Sequence, residues 1–487
     1  MPRLPALQRP QRRARCRSLA ESKVLMKRAA IAASAALLML ATQAAGATDL
    51  LQAWQAAQRQ DPEYAAAHAA FEAGSTRRAQ ARGLWLPSVL LNAGAGRASS
   101  DNSMTGAQFS APGFGQSSGV AFDTSVRNGS MGRLELAAKQ PLLSRERLAQ
   151  SRQLSLGAEM ADVQWQDARQ ALMLRVAERY FEVLVASETL HLLLRQQAAV
   201  QRALSEAKDR FQLGDAPVID THEAAARAET IGAQVLAADM ELQLKQIAFA
   251  DLTGGPAQHV APLRTGVGAE PPSMRGVDYW IAEAALHNPQ LLMQEKNLAI
   301  AQEEAAKHGQ GALGAASLDL VGQVGRERLH GSGDFGNAEN RAKNWMIGLQ
   351  LTVPLFNGHR DARHEEAVHL LDKTRAEGTR LRQQIALRTR AAWLGITVGA
   401  GRAAALEQAR KASLSRLDAT RVGQSVGDRT TLDLLNAENE ASATELALLQ
   451  ARIGVALDRL RLAALAGKLD EEALNSVNKL IQGPAAH

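Results

Sequence analysis

Pro141-Leu142-Leu143-Ser144 returns 213 residues later as Pro354-Leu355-Phe356-Asn357. The same spacing of 213 carries Tyr180-Phe181 onto Trp393-Leu394, Gly214-Asp215 onto Gly427-Asp428, and Asp220 onto Asp433. Upstream, Asp61-Pro62 matches Asn288-Pro289 at a spacing of 227, loops of unequal length absorbing the difference. A spacing held this long marks a tandem duplication, so one architecture must serve twice. Each half reads as helix, strand, loop, strand, very long helix, turn, helix.

Proline is absent between Leu142 and Ala216, and again between Leu355 and Gly483. Residues 144–212, rich in Ala, Leu, Gln, Arg and Glu, therefore suit one helix of about 100 Å. Leu172, Val176, Tyr180, Val183, Leu190 and Leu194 recur at helical spacing and form a stripe that needs partner helices. Ser88–Arg97 and Gly132–Lys139 read as strands around a Gly/Ser/Asn-rich loop, Ala98–Met131. Leu318–Gly325 and Trp345–Val353 read as strands around a second loop, Arg326–Asn344. In the last strand Trp345, Ile347, Leu349, Leu351 and Val353 share one face. Such lengths suit transmembrane barrel strands of roughly 9–11 residues, with Trp85, Trp345 and Phe356 near bilayer interfaces. Four strands cannot close a barrel, and lipid tolerates no open edge. The chain must associate, and three copies in a closed ring supply twelve strands.

The formal net charge of +6 suggests a polyanion partner until its distribution is read. Residues 1–47 hold nine Lys/Arg against the single acid Glu21, and the remainder carries 47 bases and 49 acids. The basic character belongs to the leader, and no nucleic-acid partner is expected. Met26-Lys27-Arg28, the apolar run Ala29–Ala41 and Ala45-Gly46-Ala47 form a signal peptide over 26–47. Residues 1–25 fit no part of that pattern and read as a non-native upstream extension. The sole cysteine, Cys16, precedes the expected cleavage, so the mature chain has no thiol for a disulfide or lipid anchor. The expected divisions are repeat 1 over 48–258, a linker over 259–277, repeat 2 over 278–470 and a tail over 471–487. Fraying is expected over Ala473–His487.

Gly214 and Gly427 stand where each long helix must end and turn, as left-handed caps require. Pro217 and Thr430/Thr431 suit the starts of the next helices. Arg429 and Asp433, four residues apart, exceed what a plain turn needs.

With both hairpins, Asp61-Pro62, Leu86-Pro87 and above all Ser425–Ala437, the chain resembles the TolC family of trimeric outer-membrane ducts over about residues 49–470. The resemblance implies a mainly α fold with a β-barrel part. A twelve-stranded antiparallel barrel, four strands per protomer, would continue into a long α-helical barrel closed at its periplasmic tip. It implies a homotrimer in the lipid bilayer of the outer membrane, extending into the periplasm. It also implies docking to a periplasmic adaptor (membrane fusion) protein and an inner-membrane ABC transporter, for an exported protein substrate. Asp220 and Arg429 would belong to polar links holding the hairpins shut, and Asp433 would form a threefold acidic ring able to attract divalent cations. Asn436 and Gln424 depart from the family pattern, standing where a second ring acid and an aromatic link residue are expected. Efflux ducts of the wider superfamily often carry a lipidated N-terminal Cys; its absence here favours type I secretion of an unfolded, RTX-toxin-like protein. An efflux duct is the rival, and a non-pore trimeric coiled coil the second.

No cofactor or catalytic residue is expected. Gly115-Gln116-Ser117-Ser118-Gly119 has the letters of a nucleophile elbow, but its expected loop setting lacks the strand and helix that motif needs. His359, His364 and His369, spaced by five, read as solvated residues. No P-loop is present, so energy must come from a partner. Asn128-Gly129-Ser130 reads as a loop turn.

Overall fold

The protein is described from a computed structural model, which covers residues 49–113, 115–214, 217–255, 275–308, 315–333, 336–356 and 358–479. The signal peptide, the upstream extension, Asp215, Asn357, most of the 259–277 linker and residues 480–487 lie outside the described residues.

The first half comprises α1 (Leu50–Gln60), α2 (Pro62–Ser75), α3 (Arg77–Gly83), β1 (Ser88–Ala111), β2 (Gly115–Ser144), α4 (Arg145–Leu213) and α5 (Val218–Thr253). The second comprises α6 (Val277–His287), α7 (Pro289–His308), β3 (Ser317–Gly333), β4 (Gly336–Thr352), α8 (Gly358–Ser425) and α9 (Thr431–Leu465). A short α10 (Glu471–Asn478) follows. The duplication is visible in the lengths: α4 and α8 have 69 and 68 residues, α5 and α9 have 36 and 35, and α1 and α6 have 11 each. Asp61 and Asn288 do the same work in each half. Asp61 accepts from the Glu63 and Tyr64 amides, and Asn288 from those of Gln290 and Leu291, each capping a helix that starts on proline.

Both long helices are continuous, as the missing prolines require. Towards the sheet, α4 packs on α2, α3 and α7, and α7 packs on α8; towards the opposite tip, α5 packs on α4, α4 on α9, and α9 on α8. The main core lies where these two arrangements meet. Leu172, Val176, Tyr180 and Val183 are buried there with Trp54 of α1, Phe249 of α5 and Leu460 of α9. Leu194, the far end of the expected stripe, is exposed. The expected fraying of the tail is corrected over its first part: Asp470 caps α10, and Leu474 and Val477 enter the main core. Asn478 further ties α10 to Leu50 and Asp49.

The four strands form one antiparallel sheet in the order β1-β2-β3-β4. They are far longer than their sequence pattern suggested, because the two expected loops are themselves strand. Ala98–Ala111 and Gly115–Met131 continue the first ladder, and Arg326–Gly333 and Gly336–Asn344 the second. Gly, Ser and Asn residues there give no apolar alternation, yet backbone pairing needs none. Gly115–Gly119 accordingly opens β2, and Asn128-Gly129-Ser130 lies within β2, at a register shift where Asn128 has φ +49°. The convex face carries Leu91, Leu134, Leu136, Val324, Trp345, Ile347, Leu349 and Leu351, all exposed. From Trp345 to Leu351 this apolar band runs about 20 Å along the strand, close to the ~25 Å band of bacterial barrels. Trp345 is thus ten residues into β4 rather than at a strand end. The concave face is mixed: Leu90 and Met346 are exposed on it, but Lys139 pairs there with the buried Asp319 at 2.8 Å, and Arg133 pairs with Glu135. Among the described residues no helix is long and apolar enough to cross a membrane.

Candidate functional site

The tip opposite the sheet is built by two helix–turn–helix hairpins. In the first, α4 ends at Leu213 because Gly214 takes φ +80° and donates back to the Arg210 and Phe211 carbonyls. After Pro217, α5 begins; Thr221 donates its hydroxyl to Ala207 O at 3.4 Å and staples the new helix to the old. In the second, Gly427 takes φ +82°. Its amide donates to Gln424 O at 3.1 Å and that of Asp428 to Gly423 O at 2.9 Å, the two bonds of a Schellman cap. The Arg429 amide reaches the same Gly423 carbonyl at 3.3 Å, and the Arg429 stem lies over Gly423, where a Cβ would collide with it. Arg429 is thereby folded back on the last turn of α8.

Thr430 and Asp433 form a reciprocal capping box at the start of α9. The Asp433 amide donates to Thr430 Oγ1 at 3.1 Å, and the Thr430 amide and hydroxyl donate to Asp433 Oδ2 at 3.1 and 2.9 Å. These bonds, the amide one foremost, hold the Asp433 carboxyl below the usual carboxylate range, and the charges of Arg429 and Arg416 act in the same direction. Asp433 thus stays ionised and aimed by its own helix terminus.

Between the hairpins lies a cleft of about 360 Å³. Arg210, Asp220, Glu223 and Arg227 line it from the first hairpin, and Gln424 and Arg429 from the second. Of the residues singled out in the sequence, Asp220, Gln424, Gly427 and Arg429 are therefore brought together. Asp433 belongs to the capping box. Asn436 accepts from Arg227 Nη1 at 3.3 Å, and Arg227 also pairs with Glu223 at 3.4 Å. Gly214 sits at the left-handed cap of α4, as Gly427 does at that of α8.

Sequence reasoning passed over Arg210, Glu223 and Arg227. Glu223 and Arg227 carry a detectable sign, opposite charges four apart on one helix. Further up, α9 is tied on both sides: Glu438 to Arg421 at 3.3 Å and Glu440 to Arg416 on α8, Asn439 to Gln196 at 3.0 Å and Glu445 to Arg195 at 3.3 Å on α4. The histidines are divided. His364 reaches Ala305 O at 3.2 Å and is partly buried, whereas His359 and His369 are exposed.

Comparison with known proteins agrees with this architecture. Residues 53–255 and 280–468 match the family described as outer membrane efflux protein, one segment for each half. Outer membrane protein TolC of Vibrio cholerae is 29% identical over 333 residues, covering 66% of this chain and 73% of that protein. Alkaline protease secretion protein AprF of Pseudomonas aeruginosa is 26% identical over 424 residues, covering 86% and 85%. Among solved structures, the outer membrane channel CmeC of Campylobacter jejuni superposes with a TM-score of 0.69 at 16% identity, over 89% of this chain and 90% of that one. The convex apolar sheet, the paired long helices, the duplication and these matches make the chain a member of the outer membrane efflux protein family, a TolC-family channel of the bacterial outer membrane that extends into the periplasm.

Proposed function

We propose that this channel is the exit duct of a tripartite type I protein secretion system. It works as a passive gated homotrimer that passes an unfolded, RTX-toxin-like protein from an inner-membrane ABC transporter, through a periplasmic adaptor, to the exterior. The observation that carries the conduit is the pair of open edges on each protomer. Among the described residues the sheet ends on β1 and β4 with nothing paired beyond them, and three copies joined β4 to β1 would close a twelve-stranded barrel. The helical layer is left open in register with it. Leu236, Met240, Leu244 and Ile247 form an exposed stripe on α5, between 57 and 73% accessible. Leu387, Leu394 and Val398 form another on α8, at the opposite border. Apolar stripes of this length call for the neighbouring copies of the ring.

The tip supplies the gate. In a ring of three, Asp433 would present three ionised carboxylates to the axis, attracting cations to the constriction, with Asn436 adding no charge to that ring. Arg429, Asp220 and Gln424 line the cleft where one hairpin meets the other. Opening would swing the hairpins about Gly214 and Gly427, biased by a partner that competes for these polar groups. Secretion is favoured by the secretion-protein relative, which matches almost the full length of the chain. The family's description as efflux proteins supports small-molecule export as the second reading.

Two experiments test this in sequence. Purified protein that runs as a heat-resistant trimer should give discrete conductance steps in planar bilayers; a folded trimer without steps would remove the conduit. The chain should then restore secretion of an RTX protease, scored as clearing on casein plates, in a strain lacking its own duct but holding the matching transporter and adaptor. Restored drug resistance without secretion would replace the first reading by the second.

A further inference from the structure

The convex face of the sheet holds a depression of about 390 Å³ to which all four strands contribute, from Leu91 on β1 to Trp345 on β4. Leu134, Leu136, Val324 and Trp345 line it, and its outer end is formed by Arg326 and Lys343. These two cations are register partners on β3 and β4, one row beyond the Val324–Trp345 pair and farther from the helices. Like charges directly opposite one another on a sheet repel, so this pair needs an explanation.

The acid farther out on the same face of β4 is otherwise engaged: Glu339 is held in a fork by Arg341 at 2.6 and 2.7 Å. Glu135 and Asp319 lie on the concave face, paired with Arg133 and Lys139. Glu327 adjoins Arg326 in sequence, and strand alternation puts it on the concave face. Two cations thus sit about 5 Å apart at their Cβ atoms, at the outer rim of the apolar band, with an apolar trough leading away beneath them.

The geometry points to a binding site for a phosphate-bearing anionic lipid of the outer leaflet, its phosphate between Arg326 and Lys343 and an acyl chain along Leu134, Leu136 and Val324 against Trp345. A guanidinium and an ammonium converging on one phosphate form charge-assisted hydrogen bonds at the bilayer interface. A zwitterionic headgroup would bring its own ammonium against the same two cations, which excludes it as the preferred occupant. The site lies within one protomer, so each copy carries its own.

Native mass spectrometry of the detergent-solubilised trimer titrated with diphosphoryl lipid A tests the assignment. Wild type should take up one lipid per protomer, and phosphatidylcholine should not displace it. Arg326→Gln/Lys343→Gln should weaken uptake about thirtyfold, the effect of two cations near an anionic lipid surface. Lys343→Arg should keep it. Equal uptake by the double variant overturns the site. Equal displacement by phosphatidylcholine overturns the headgroup assignment. Displacement by millimolar inorganic phosphate overturns the lipid as the occupant. Should the double variant fail to yield heat-resistant trimer, Lys343→Glu beside Lys343→Arg makes the same comparison, and equal uptake by both overturns the site.

Discussion

Asp433 closes the capping box of α9 and is proposed to supply charge to the constriction, and substitution can separate the two. Asp433→Ala removes both. Asp433→Asn removes the charge but leaves an amide oxygen that can still accept from the Thr430 amide and hydroxyl, now bonded at 3.1 and 2.9 Å. In either variant Thr430 Oγ1 still accepts from the amide of residue 433, so only the half of the box made by Asp433 is at stake. Loss of a helix-terminal cap of this kind should raise local opening about fivefold. Hydrogen exchange at the Thr430, Asp433 and Leu434 amides should therefore run about fivefold faster in Asp433→Ala. In Asp433→Asn it should be about twofold faster, since a neutral acceptor keeps roughly half the strength of a charged one. Divalent-cation block of single-channel conductance should fall equally in the two variants, because both lose the ring charge. Block retained in Asp433→Asn would refute the electrostatic role. Equal exchange in wild type and Asp433→Ala would refute the cap.

Gly467 takes φ +68°, and a Cβ there would collide with the His287 carbonyl where α9 passes the end of α6; Gly467→Ala should cost at least about 2 kcal/mol and lower the trimer's dissociation temperature. Trp54, 1% exposed in the main core, should cost about 3–5 kcal/mol as Trp54→Ala, read as loss of heat-resistant trimer on gels. Burial pushes the Glu304 carboxyl up, but hydrogen bonds from Gln153 and His308 and the Lys307 charge together hold it below its usual range. Its folded value is the depressed one, so its stabilisation is present above the unfolded carboxylate pKa near 4.3 and is lost as pH falls through the folded value. Glu304→Gln should flatten the acid limb of the stability profile, and an unchanged limb would sink this account.

The helices and the duplication were legible because their determinants are local. Proline-free runs, Gly214 and Gly427, and the cap pairs Asp61-Pro62 and Asn288-Pro289 need no knowledge of distant residues. The strands were legible over their inner parts, Ser88–Arg97, Gly132–Lys139, Leu318–Gly325 and Trp345–Thr352, most clearly where lipid imposes alternation from Trp345 to Leu351. Beyond that band, residues such as Asn102, Ser125 and Asn337 are extended because a neighbouring backbone pairs with them, and side-chain pattern carries no record of it. The tail was misjudged for a related reason. Leu474 and Val477 look like two stray apolar residues until α1 and α4 are folded beside them. At the tip, Thr430 and Asp433 have the spacing of a capping box, yet charge four residues from Arg429 drew attention to the pore instead. Arg227 was missed because its second partner, Asn436, is 209 positions away.

The near-equal lengths of α4 and α8 make the molecule a vernier. One residue added to either long helix would advance its hairpin by about 1.5 Å and turn it by about 100°, throwing Asp220 out of line with Arg429. Inserting about seven or eleven residues would nearly restore the facing of the stripes, but only if α4, α5, α8 and α9 all received them at the same height. The reach of such a duct is therefore quantised, and it can change only by steps taken in both halves of the duplication together.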